Sequence, residues 1–337
     1  MSKNLKIMQV REILESSFNT SNQAKLNNLY KEIIREDGYL NSKVNLYYDI
    51  GREGFVTVNR ESGKVTVYSS KNSLYSLIRA NYKGVTDIGK ILNLVPTVAL
   101  IFDPKNINSE KRVTDENIRI VNTYKPSKFI LYMEKNKIEK INHDNFPNIY
   151  LLLKNLFRKD EYIHYFENWL AWGLQFREKN GVAIISKGIE GAGKGVFYKY
   201  IIKYAYGEEY CATLDNEAIR SNFNGLIENK LFLIMNEVKP DFRDFSTVHE
   251  RLKAYITDEE FIIEEKHVKT KVGKSYFNAW LHTNHSVPLH ISPTDRRYTI
   301  IDTANIPLKA IIDTFELVEK IKEERDEYIK NIMSLKV

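Results

Sequence analysis

Apolar positions along the chain follow two rhythms. Four short apolar-rich runs, Val182 to Ile185, Leu231 to Met235, Tyr276 to Leu281 and Thr299 to Asp302, have the length and near-continuity of strands buried on both faces. Between and before them apolar residues recur at helical spacing. Ile149 to Phe157 and Glu161 to Phe176 read as two strongly apolar helices, and the stretch after Lys194 as a third. Nearer the start, Leu26, Leu29, Tyr30, Ile33 and Ile34 predict an amphipathic helix ending near Asp37 and Gly38. Residues 55–59 and 64–68 are β-rich runs joined by Arg60, Glu61, Ser62 and Gly63, a hairpin signal. A helix over 73–84, closing on Gly84, and a strand over 98–106 follow. A charged amphipathic helix from Ala310 to Lys330 closes the pattern, its apolar side carried by residues such as Phe315, Leu317 and Ile321.

Strands alternating with helices in the second half predict an α/β fold: a parallel sheet with helices on both faces. The hairpin and short helices of the first half predict a smaller α+β domain. Pro126 and the charged run 135–145 suggest a boundary, giving 1–145, 146–305 and a C-terminal helix over 306–337. No basic helix stands out in the first domain, so a collar packed on the second is favoured over a DNA-binding fold.

The candidate chemistry gathers at the ends of the buried runs. Val182 to Ile185 leads into Gly188, Ile189, Glu190, Gly191, Ala192, Gly193, Lys194, Gly195 and Val196, a G-x-x-x-x-G-K pattern between a strand and a helix. Such glycines let successive backbone N–H groups turn toward a phosphate chain, and the lysine adds a full charge. Gly195 departs from the pattern, since Ser or Thr ordinarily supplies a Mg²⁺-ligating hydroxyl there. The second run ends on Asn236 and Glu237. A carboxylate delivered by a strand end beside a phosphate loop is a candidate base for the attacking water, and Asn236 stands where a second acidic residue is commoner. The third run leads to Asn284, placed to hydrogen-bond a γ-phosphate or the lytic water. Arg296 and Arg297 precede the fourth run and could reach a phosphate, or else pair with Asp295 at the surface. Between the second and third runs, two β-rich stretches flank a tip with Lys266, His267, Lys269, Lys271 and Lys274. A lysine-studded hairpin suits a phosphate backbone, and equally a solvated surface. His282, His285 and His290 lack tight ligand spacing and a nearby cysteine, so no zinc site is expected.

Composition narrows the picture a little. Hydrophobic residues make up 43%, enough for a real core, and exclude wholesale disorder. A net charge of +6 and pI near 8.9 are compatible with nucleic acid without being diagnostic. A lone cysteine, Cys211, excludes an internal disulfide framework and fits a reducing cytoplasm. Charge arrives too early at the start for a signal peptide, and no run reaches the length of a membrane span.

The ordered series GIEGAGKG, FNGLIENKLFLIMNE, ITDEEFIIEEKHVKTK, FNAWLHTNH and DRRY resembles superfamily 3 helicases, the AAA+ ATPases of small viruses, phages and plasmids. It is most similar to the phage and plasmid primase–helicase group, in which an NWLA helix, here Asn168 to Ala171, precedes the phosphate loop. The resemblance covers roughly residues 160 to 301. It implies that Gly188, Glu190, Gly191, Ala192, Gly193, Lys194, Gly195 and Val196, with Asn236, bind ATP, and that Mg²⁺ comes with the nucleotide and meets at most Glu237. It also implies that Glu237 is the catalytic carboxylate beside Lys194 and that Asn284 is the sensor. It further implies that Arg297, or Arg296, reaches a neighbour's nucleotide in a homo-hexameric ring. Lys266 and His267, with Lys269 and Lys271, would touch single-stranded DNA in the channel. A primase or replication initiator is the partner it suggests, and a phage or mobile element in a bacterial cytoplasm the setting. No primase carboxylate motif is recognisable in the first 150 residues. A DNA-binding scaffold with little hydrolysis and an RNA-directed ATPase are the alternatives.

Overall fold

A computed structural model describes residues 20–38, 40–41, 43–68, 70–82, 88–107, 112–113, 118–132, 137–236, 245–264, 270–284, 294–304 and 306–337. The chain divides into two compact units, Met1–Lys125 and Pro126–Val337.

In the first unit, helix α1 (Thr20–Asp37) precedes strands β1 (Val44–Asp49), β2 (Gly54–Asn59) and β3 (Val65–Tyr68), then α2 (Lys71–Asn81) and α3 (Ile88–Leu92). Strands β4 (Thr97–Ile101), β5 (Arg112–Val113) and β6 (Arg119–Asn122) complete it. The sheet runs β3-β2-β1-β4-β6-β5. The predicted hairpin is present, with Phe55 opposite Tyr68 and Val58 opposite Val65. Its core forms because Leu26, Tyr30 and Ile34 share one face of α1 and meet Leu46, Leu74, Ile78 and Ile91. Helix α2 starts at Lys71, two residues before the expected start, because Ser70 caps the free Ser73 amide at 3.2 Å.

The second unit is a mixed α/β layer structure. Helices α4 (Pro147–Phe157) and α5 (Asp160–Phe176) lead into strand β7 (Ala183–Lys187). The next helix, α6, has three stretches, Lys194–Phe197, a π turn at Tyr198–Ile202, and Lys203–Tyr206. Then come β8 (Cys211–Leu214), α7 (Asn216–Arg220), β9 (Phe232–Met235) and α8 (Phe245–Thr257). The hairpin β10 (Glu260–Ile263) and β11 (Lys271–Lys274) precedes β12 (Asn278–Thr283), β13 (Tyr298–Asp302) and α9 (Thr314–Ser334).

All five strands of the main sheet are parallel, in the order β13-β7-β12-β9-β8. One face carries Ile185, Leu233, Ala279 and Leu281 against Ile219 of α7 and Leu252 and Ile256 of α8. The other is aromatic. The Trp280 ring lies 6.2 Å from Phe157, 5.0 Å from Phe166 and 6.2 Å from Phe197, so α4, α5 and α6 share that face. Tyr328 of α9 also reaches it, its ring 6.5 Å from Phe197.

Two further departures from the sequence reading concern the main sheet. Strand β12 starts at Asn278 and runs through His282 and Thr283, because β7 flanks it to the end and pairs Ser186 and Lys187 opposite those two residues. Strand β8 escaped notice, since a four-residue run is too short to show a period.

Candidate nucleotide site

The sheet order decides the site. Strand β12 lies between β7 and β9, and all three run parallel, so their carboxyl ends open on one edge. The loop Gly188–Gly193 leaves β7 there, Asn284 follows β12 and Asn236 follows β9, both exposed. Crevices outside the carboxyl ends of parallel strands are where open α/β sheets bind ligands. Gly188 N donates to Thr283 O at 3.0 Å, tying the start of the loop to the end of β12.

The loop needs its glycines at specific points. Gly193 has φ +108°, and a Cβ there would stand 2.3 Å from Leu152 Cδ1. A Cβ on Gly188 would fall 1.8 Å from Thr303 Oγ1. Gly195 is different: it lies in the first turn of α6 with open space around the missing side chain. The absence of Ser or Thr there has no steric cause.

Lys194 is partly buried. Desolvation lowers its pKa, and the charge of Glu190 opposes that shift. A desolvated ammonium on a loop of backbone donors suits an anion. His282 stands behind the site, on the same face of β12 as Trp280, whose ring is 4.5 Å away. It is 4% exposed, and neither ring nitrogen has a hydrogen-bond partner among the described residues. Burial, reinforced by the Lys194 charge, holds its pKa well below the usual histidine value, so the ring is neutral.

The remaining candidates lie elsewhere. Arg296 and Arg297 precede β13, at the amino edge of the sheet, where Arg297 O accepts from Ala183 N at 2.8 Å. The loop Gly188–Gly193 is at the opposite edge, so within one subunit the pair does not line it. Arg297 Nη1 pairs with Asp295 at 3.2 Å, the surface partner the sequence offered. Lys271, on β11, pairs with Glu228 at 2.8 Å, while Lys274 is exposed. Glu237, Lys266, His267, Lys269, His285 and His290 lie outside the described residues.

Sequence reasoning overlooked Asn155. This side chain of α4, 5% exposed, donates from Nδ2 to Ala192 O in the loop at 2.9 Å and to Ile306 O at 3.3 Å. The one signal was an asparagine inside a largely apolar run, which needs a hydrogen-bonding partner when buried.

A family of unknown function (DUF5906) matches residues 186–297, the span from the end of β7 to Arg297. The chain is similar to the DNA primase-polymerase of Nitratiruptor phage NrS-1, 27% identical over 301 residues. That match covers 88% of this chain and 39% of the relative, so the chain spans about two-fifths of its length. The apo structure of the NrS-1 C-terminal region (305-718) superposes with a TM-score of 0.72 at 27% identity. It covers 88% of this chain and 67% of that one. The A form apo structure of the same region gives 0.70 at 28% identity, with the same coverage. The chain is homologous to that C-terminal region. Among the described residues, no helix is long and apolar enough to cross a membrane.

Proposed function

We propose that the second unit is an AAA+ ATPase of the superfamily 3 type, driving a replicative DNA helicase of a phage or mobile element. The observation that carries this reading is the partly desolvated lysine in a glycine-built loop, at the carboxyl edge of a parallel sheet with two further strand ends beside it. Homology to part of a phage DNA primase-polymerase supports a role in DNA replication.

The loop residues Gly188, Glu190, Gly191, Ala192, Gly193, Lys194, Gly195 and Val196 would hold the phosphates. Bound ATP, arriving with its own Mg²⁺, supplies the phosphoanhydride to be broken. A triphosphate would take the charge of Lys194, the one cation of residues 188–196, together with the backbone donors of the loop. Mg²⁺ finds less: Gly195 has no hydroxyl and Asn236 no charge, so the nucleotide and water would complete its shell with Glu237 as the remaining carboxylate. Glu237 takes a proton from the attacking water, and Asn284 orients that water or the γ-phosphate. Arg297, at the opposite edge of the sheet from its own subunit's loop, suits a neighbour's site in a closed head-to-tail ring, by this reading a hexamer. Lys266, His267, Lys269 and Lys271 would grip single-stranded DNA, with a primase or initiator as the functional partner.

A second reading, a nucleotide-dependent DNA-binding scaffold or initiator with little hydrolysis, is favoured specifically by Gly195 and Asn236. Steady-state ATP turnover, alone and with single-stranded DNA or RNA, separates these. DNA-stimulated turnover supports the helicase motor and RNA-stimulated turnover an RNA-directed ATPase. Nucleotide binding without turnover supports the scaffold.

A further inference from the structure

The outer side of the phosphate loop is closed by two segments far from it in sequence. Helix α4 contributes Leu152, which fills the space beside Gly193, and Asn155 one turn later. The stretch after β13 contributes Thr303, packed on Gly188, and Leu308, whose N–H donates to Gly191 O at 2.8 Å. Asn155 joins the two segments. Its Nδ2 reaches both Ala192 O and Ile306 O, and its backbone carbonyl accepts from Ala304 N at 3.0 Å.

Peptide geometry gives these bonds a consequence. In a trans peptide the C=O and the following N–H point in opposite directions. Drawing Gly191 O toward Leu308 therefore turns Ala192 N–H the other way. Drawing Ala192 O toward Asn155 turns Gly193 N–H the other way too. Two consecutive carbonyls held on the outside leave two consecutive N–H groups facing away from α4 and the β13 segment. Consecutive donors of this kind make an anion-binding concavity. The first carbonyl is held by backbone, and the second by one side chain.

We propose that Asn155 is a positioning residue, which sets the phosphate-binding conformation of the loop by holding the Ala192 carbonyl outward. This rests on the nucleotide-binding reading above. Freed from Asn155, the Ala192–Gly193 peptide can rotate, and a carbonyl turned inward repels phosphate where a donor should attract it.

The test uses the full chain with ADP, titrated at equilibrium at several pH values, with melting measured alongside. Each variant is compared as a ratio to wild type, which cancels the titration of the nucleotide itself. Asn155→Asp has the same shape but presents a carboxylate to two carbonyl oxygens. Affinity is expected to fall tenfold or more near pH 8. It should recover toward wild type as pH drops, because the protonated acid can donate one hydrogen bond to Ala192 O. Asn155→Ala should lose affinity by about tenfold, leaving the carbonyl unpaired, with no recovery at low pH. Wild-type affinity for ADP near pH 8 in either folded variant would overturn the proposal, as would a loss in Asn155→Asp that stays flat with pH. If Asn155→Ala does not fold, the pH profile of Asn155→Asp decides alone. Failure of the wild-type protein to bind ADP is a separate outcome, and refutes the nucleotide-binding reading itself.

Discussion

Gly193 and Gly195 stand two residues apart where the loop enters α6, yet they should respond oppositely to a side chain. At Gly193, φ of +108° is unfavourable for an L-residue by about 1–2 kcal/mol. The new Cβ would also meet Leu152 Cδ1 at 2.3 Å and Leu308 Cδ2 at 3.2 Å. Both neighbours are fully or nearly buried, so overpacking adds about 1–3 kcal/mol. Gly193→Ala should therefore destabilise by about 2–5 kcal/mol. Gly195 meets nothing within 4 Å and sits in a helical turn, where serine is preferred to glycine by about 0.5 kcal/mol. Gly195→Ser should be neutral or slightly stabilising. Urea unfolding followed by tryptophan fluorescence is well suited, because Trp169, Trp172 and Trp280 all lie in the second unit. Midpoints compared at constant m give the difference directly. Gly193→Ala within about 0.5 kcal/mol of wild type would refute the packing argument. Gly195→Ser losing more than about 1 kcal/mol would refute the claim that position 195 has room. If it folds, its restored hydroxyl should also make nucleotide affinity more dependent on Mg²⁺.

Glu324 of α9 accepts from Asn148 N at 3.1 Å and Ile149 N at 2.9 Å, capping α4 from a distant element. Glu324→Ala should cost about 1–2 kcal/mol in the same unfolding assay. Lys179 donates to Tyr255 O and Asp258 O, both at 2.6 Å, and burial brings its pKa down to about 8. Its folded pKa lies below the unfolded value, so between about pH 8 and 10.5 the unfolded chain binds more protons. Stability should gain from this group as pH rises through that window, and melting of Lys179→Met should lack the gain. Lys194→Ala should lose nucleotide binding while melting at or above wild type, since it removes a desolvated charge; retained binding would overturn the site. Arg297→Ala mixed with Glu237→Gln should recover ATP turnover that neither has alone. A mixture that stays inactive while mixed oligomers form would rule out an arginine supplied in trans.

The glycine-rich loop was legible because its causes are local. Glycines at 188, 191 and 193 permit the turn, and a buried strand before and helical spacing after supply its frame. The strands β7, β9 and β12 were readable for a similar reason, since a strand covered on both faces must be apolar nearly throughout. Neighbour relations were not readable. Only pairing shows that β12 enters between β7 and β9, which sets Asn284 and Asn236 beside the loop and leaves Arg297 at the opposite edge beside Asp295. His282 lies just past the strand expected from sequence, yet β7 extends the strand past it and buries a neutral ring. Asn155 lies 37 positions from Ala192, and its apolar surroundings in sequence signal a need for a partner without saying which carbonyl that partner is. Local conformation follows from which φ and ψ each residue can adopt. Which carbonyl a buried amide must satisfy is decided only when distant segments close around it.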